Sequence, residues 1–155
     1  MDNHQRFLMH LEKSTTAVFV AARYLHDQGL DVRISAMKKA SSHKDWKKFK
    51  DDGDLFMYKE GEEYRIEVKG LSREFEGPED IKYPTMTICA KHSFDSADPK
   101  PYAYMMFNKA LTHIAIVRVD KSENWSVKRL QDKRYDNVFQ DFYNCPVKDI
   151  QFIKI

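Results

Sequence analysis

The chain has only two cysteines, Cys89 and Cys145, and no CxxC pair, so neither a disulfide scaffold nor a paired-thiol metal site is expected. Its histidines show no HExxH and no paired spacing, which argues against zinc. No glycine-rich phosphate loop is present, so a nucleotide-hydrolysing motor is not expected. No apolar run approaches the roughly 20 residues that a membrane span needs. The polar start, Met1 to Arg6, lacks the charged, apolar and cleavage regions of a signal peptide. These absences lead to the expectation of a reduced, cytosolic protein, in the host cytoplasm if the source is viral, with no membrane partner. There is no internal repeat, low-complexity tract or linker, so residues 1–155 are read as one domain.

What is present has an ordinary globular balance, with 42% hydrophobic and 32% charged residues over 155 positions, enough for a sizeable core. The net charge is +2. A balance this mild does not announce nucleic-acid binding, so any such reading rests on where the charges sit.

Residues 4 to 28 contain no glycine or proline, and Phe7, Leu8, Leu11, Val18, Ala21, Ala22 and Leu25 recur at helical spacing. Gly29 stands where a glycine would end that helix. A short strand is expected over residues 31 to 35. Residues 37 to 53 crowd Lys38, Lys39, Lys44, Lys47, Lys48 and Lys50 around His43 and Trp46, and read as a basic loop. Leu55 to Tyr58 and Tyr64 to Lys69 read as the strands of a hairpin turned at Glu60-Gly61-Glu62. A strand near residues 85 to 89 and a helical turn near 91 to 97 follow. Tyr102 to Phe107 and His113 to Val119 are dense in β-formers and closely linked, which predicts an antiparallel pair. Residues 132 to 143 are expected to form a helix carrying Tyr135, Val138, Phe139 and Phe142, and Ile150 to Ile155 a last strand.

The candidate chemistry lies at Asp54 and Glu67-Val68-Lys69. An acid-x-Lys triplet alone says little, since Asp45-Trp46-Lys47, Asp80-Ile81-Lys82 and Asp98-Pro99-Lys100 also match it. Strand geometry chooses among them. Tyr64, Ile66 and Val68 point to one face of their strand, and Arg65, Glu67 and Lys69 to the other. Asp54 begins the preceding strand, and a tight hairpin pairs it with the end of its partner near Glu67 to Lys69. Two carboxylates and an ammonium then meet at one end of a sheet. The other three triplets lie in a proline-broken, an irregular and a basic-loop segment.

Gly53-Asp54-Leu55, a strand, a hairpin turn and Ile66-Glu67-Val68-Lys69-Gly70 together resemble the core of the PD-(D/E)XK nuclease superfamily, which includes restriction endonucleases and Holliday-junction resolvases. The resemblance covers residues 4 to 119 in the order of elements and 53 to 70 in motif. Position 53 carries Gly where the family name has Pro. The implied fold is α/β: a restriction-endonuclease-like core, with an N-terminal helix followed by a central mixed β-sheet flanked by helices. The implied activity is a Mg²⁺-dependent deoxyribonuclease, with Mn²⁺ as a substitute. Asp54 and Glu67 would hold the metal through hard oxygens, with the Val68 carbonyl as a third ligand. The metal would polarise the scissile phosphate and acidify a bound water. Lys69 would orient that water or stabilise transition-state charge. Many resolvase-like members also carry a first-helix Glu. Counted back from Gly29, its usual place falls near Ala17 or Val18, and Glu12 is kept as the candidate fourth ligand.

The expected partner is DNA, contacted by Lys44, Trp46, Lys47 and Lys48 of the basic loop and by Lys91, with Arg73 and His92 as further phosphate contacts. Resolution of branched DNA needs two sites, which a homodimer would supply. Phe139, Phe142, Tyr143 and the last strand are read as its interface or as core. Two other readings stay open: a nucleic-acid-binding module that does not cleave, and a protein-interaction or assembly subunit.

Overall fold

The computed structural model describes residues 1–36 and 53–155. Helix α1 (Asn3–Asp27) starts with a reciprocal cap, in which Asp2 Oδ1 accepts from Gln5 N at 2.7 Å and Gln5 Oε1 accepts from Asp2 N at 3.0 Å. It ends at Gln28, and Gly29 turns the chain at φ +85 into β1 (Asp31–Ile34). The hairpin of β2 (Leu55–Lys59) and β3 (Glu62–Gly70) turns through Glu60 and Gly61, with φ of 52 and 80. Positive φ at both positions is what a two-residue turn matched to strand twist requires.

The chain continues through β4 (Thr85–Ala90), α2 (Lys91–Ser96), β5 (Ala103–Phe107), β6 (His113–Arg118), β7 (Ser126–Gln131), β8 (Phe139–Pro146) and β9 (Ile150–Lys154). One six-stranded sheet has the order β1-β2-β3-β5-β6-β9, and a three-stranded sheet has the order β4-β8-β7. Among the described strands of the larger sheet the β3–β5 pair alone is parallel, so that sheet is mixed. Residues 85 to 96 lie between those two strands and supply the crossover that a parallel pair needs.

Alternation along the strands makes two cores. Ile66, Val68, Ala103, Met105, Phe107 and Ile114 pack against Ala17, Val18, Ala21, Ala22 and Leu25 of α1. On the other face Tyr104, Met106, Ala115 and Val117 meet Met86, Ile88 and Cys89 of β4, with Phe75 and Cys145. β5 is buried at every position, as a strand covered on both faces must be. Full burial of a side chain such as Leu55, Ile66 or Phe107 contributes about 1.5–3 kcal/mol. The mixed sheet behind an N-terminal helix agrees with the fold class expected above.

One expected element is corrected. Residues 132–143 do not form a helix: they are a loop over 132–138 followed by the first part of β8. The apolar spacing of Tyr135, Val138, Phe139 and Phe142 imitates a helical stripe. Asn137, at φ 54, breaks any helix there. Pairing of β8 with β4 on one side and β7 on the other satisfies its backbone and overrides the local period.

Candidate active site

The β2–β3 ladder runs from Lys59↔Glu62 to Leu55↔Ile66. Asp54 stands one residue past its end, and its Oδ2 accepts a hydrogen bond from Val68 N at 2.7 Å. That bond fixes Asp54 beside the strand segment carrying Glu67 and Lys69. The N–H and C=O of one strand residue face the same neighbour, so the Val68 carbonyl also faces the Asp54 side.

Glu67 is mostly buried. Its Oε1 accepts from Arg65 Nε at 2.7 Å and lies 2.6 Å from Arg65 NH2, and the two side chains are 17% and 9% exposed. Arg65 also donates to the Pro99 carbonyl at 3.3 Å. Gly53 makes room for this arginine: a Cβ there would lie 2.8 Å from Arg65 Nε and 2.9 Å from Arg65 Cγ. Its φ of +119 is also a conformation that L side chains rarely adopt.

Lys69 points to the same face as Glu67 and sits between the two sheets, its Nζ 5.9 Å from the centre of the Tyr104 ring. Burial holds its ammonium below the usual lysine range. The Cys89 sulfur pulls the other way, Arg134 adds to the depression, and Glu67 and Asp54 oppose it. Burial raises the pKa of both the Tyr104 hydroxyl and the Cys89 thiol, which pack in the same core.

The residues singled out from the sequence fall into three groups. Asp54, Glu67, Val68 and Lys69 are brought together. Glu12 is exposed on α1, while Ala17 is the helix residue against the end of β3, its Cβ 3.6 Å from where a Gly70 Cβ would stand. Lys91 opens α2, pairs with Asp95 and borders a groove of about 300 Å³ shared with His92, Arg129, Phe139 and Gln140. Lys44, Trp46, Lys47 and Lys48 lie outside the described residues.

Among the described residues there is no group of three or more His, Cys, Asp or Glu placed to hold a metal ion. The donors at hand are the Asp54 and Glu67 carboxylates and the Val68 carbonyl. Such a set fits a hard divalent ion of the Mg²⁺ kind, which keeps several waters and needs few protein oxygens. The bond that holds Asp54 against Val68 is the observation favouring the fit, since it draws two of these donors to one side of β3.

Two features were not singled out from the sequence. Arg65 shares its strand face with Glu67, and the i, i+2 charge alternation is the signal that could have shown the pairing. The second is Asp132, whose side chain is 3% exposed and which holds Arg134 through Nε at 2.9 Å and NH2 at 2.6 Å. Burial alone would raise the Asp132 carboxyl, but Arg134 and Gln140 outweigh it and hold it below the usual aspartate range. A lowered folded pKa gives stability that is complete above the unfolded value and lost as pH falls through the folded one. Asp132→Ala is therefore expected to cost about 1–3 kcal/mol at neutral pH. The difference from the parent should close in acid, below the ordinary aspartate pKa of 3.8. Denaturant titrations at pH 7 and at acid pH read this, and a gap that widens in acid would contradict it.

No family model matches the sequence, and no curated protein matches it. Among solved structures, a bacterial homing endonuclease is similar with a TM-score of 0.46 and 14% identity, over 81% of this chain and 80% of that one. At that score and identity the likeness bears on neither activity nor substrate.

Proposed function

We propose that this chain is a metal-dependent deoxyribonuclease of the PD-(D/E)XK kind. The observation that carries the reading is the hydrogen bond from Val68 N to Asp54, which sets one acid beside the strand that presents Glu67 and Lys69 on a single face. In this reading Asp54, Glu67 and the Val68 carbonyl hold Mg²⁺ or Mn²⁺. The ion supplies Lewis acidity toward the scissile phosphate and acidifies water. Lys69 orients the attacking water. Its lowered pKa brings the neutral amine closer to working pH, where it accepts a proton. Between two packed layers its charged form also acts on the phosphate with less screening than at an open surface.

The test is incubation of the purified protein with single-stranded, duplex, flapped and four-way DNA, in Mg²⁺, Mn²⁺ or EDTA. Cleavage in either metal and none in EDTA is the expected result. No cleavage of any form would overturn the assignment.

One observation favours a second reading. Glu67 already carries Arg65 as its counter-ion, an arrangement that serves a module which binds DNA without cutting it. DNA affinity with no cleavage in either metal would select that reading.

A further inference from the structure

We propose that Arg134, clamped by Asp132 in the loop between β7 and β8, binds a backbone phosphate on the same nucleic-acid track that passes Lys69. The proposal rests on reading the Glu67–Lys69 face as a nucleic-acid site.

The clamp is built from a nearly buried acid. Asp132 accepts from Arg134 N at 3.1 Å, Arg134 Nε at 2.9 Å, Arg134 NH2 at 2.6 Å and Gln140 Nε2 at 2.6 Å. The loop closes on itself through Asp132 N to the Val138 carbonyl at 2.7 Å and Tyr135 N to the Asp132 carbonyl at 3.0 Å. Its far side is tied to α1, where Arg6 pairs with Asp136 at 2.9 Å and Asp136 N donates to Asn3 Oδ1 at 3.3 Å. The guanidinium is thus held from behind, in one plane. Arg134 is nevertheless 47% exposed: its side-chain bonds to Asp132 run through Nε and NH2, and its guanidinium carbon lies 5.3 Å from the centre of the Tyr135 ring.

Two independent routes place this loop beyond the end of β3, on the side toward which Lys69 lies. The β4–β8 register sets Cys89 opposite Tyr143 and Ala90 opposite Phe142. Cys89 lies against Tyr104 and Lys69. Gln140, which braces Asp132, is two residues beyond Phe142, about 7 Å along the strand. On the other side of the sheet, Ala17 abuts Gly70 at the end of β3. The turns of α1 before Ala17 run past that end, and Asn3 and Arg6 there hold the loop. Arg134 is also among the charges that bear on Lys69.

Burying a carboxylate is unfavourable unless it is well paired. Asp132 commits three bonds to a single arginine whose tip stays in solvent. An arginine fixed in plane with one edge open is suited to two-pronged phosphate recognition.

The test is DNA binding in EDTA across a salt series, with melting of every protein recorded. Loss of one phosphate contact should reduce the slope of log K against log salt by about 0.9 on duplex and about 0.7 on single strands. Arg134→Ala and Arg134→Gln are both expected to show that loss, with affinity down about 5–10-fold at low salt. The Gln variant keeps a side-chain bond to Asp132, so it decides the matter if the Ala variant fails to fold. A folded neutral variant with wild-type slope and affinity would overturn the proposal and leave Arg134 as a loop fastener. Metal-dependent cleavage by the wild type is scored separately. Its absence would end the nuclease reading without touching the slope result, and an unchanged slope would end the Arg134 proposal without touching cleavage.

Discussion

Lys69→Ala is expected to lower DNA cleavage by about 10²–10⁴-fold, the usual contribution of a placed acid or base, and to leave the protein folded. The loss follows from position: Lys69 lies near Asp54 and Glu67 on the strand face proposed as catalytic, while the other cation there, Arg65, is committed to Glu67. Retention of the fold follows from its protonation. Burial depresses the pKa of Lys69 below 10.5, so the charged amine is less favourable in the folded chain than in the unfolded one. Below the folded pKa both states carry the proton and the wild type bears the whole burial cost. As pH rises from the folded value toward 10.5, the folded state releases its proton first and the cost is relieved. Lys69→Met, which keeps the apolar stem, should therefore be at least as stable as wild type at neutral pH, with the advantage shrinking toward pH 10.5. Cleavage assays beside melting curves at two pH values read both halves. Full activity in the Ala variant would sink the role given to Lys69.

Gly53→Pro is expected to cost roughly 3 kcal/mol or more, although proline is the residue that the superfamily's name carries at this place. Proline holds φ near −65°, whereas Gly53 sits at φ +119. Any Cβ at this position also enters the space of Arg65, with Nε at 2.8 Å. Displacing Arg65 would strip Glu67 of its partner, so the damage reaches the site as well as the turn. Gly53→Ala carries the steric part and most of the φ strain and should also be destabilised. Urea titration of the two variants tests this, and an alanine variant of wild-type stability would refute the account of Gly53.

How much of this was legible in the sequence depended on how local the cause was. The β2–β3 hairpin was readable because Glu60-Gly61 marks the turn and because alternation from Tyr64 to Lys69 divides the faces without reference to the rest of the fold. The same arithmetic brings Asp54 to the end of that ladder. The pairing of β5 with β6 was readable from two β-rich runs with a short link. The β7–β8 hairpin was not. Its outcome is decided by β4, far back in the chain, and the apolar residues of 135–142 suit a helix as well as a strand until that partner is present. The Asp132–Arg134 clamp was hidden for the same reason, since a loop inside a presumed helix has no loop geometry to reason from. Alternation put Arg65 on the Glu67 face and so offered the counter-ion, but the competing Lys69 on that same face left the choice between them to the side-chain positions.

The two halves of the candidate chemistry have different origins in time. Asp54 reaches Val68 across a hairpin at a sequence separation of only 14, a closure of small entropic cost that forms on the order of 1–10 μs. The acids can meet before either core has closed. Lys69 owes its lowered pKa to burial and to Arg134, which requires β4, β8 and the loop beyond β7 to be in place. During refolding, the carboxylate pair should therefore assemble as a local event, and the lysine should acquire its altered basicity only when the second sheet docks.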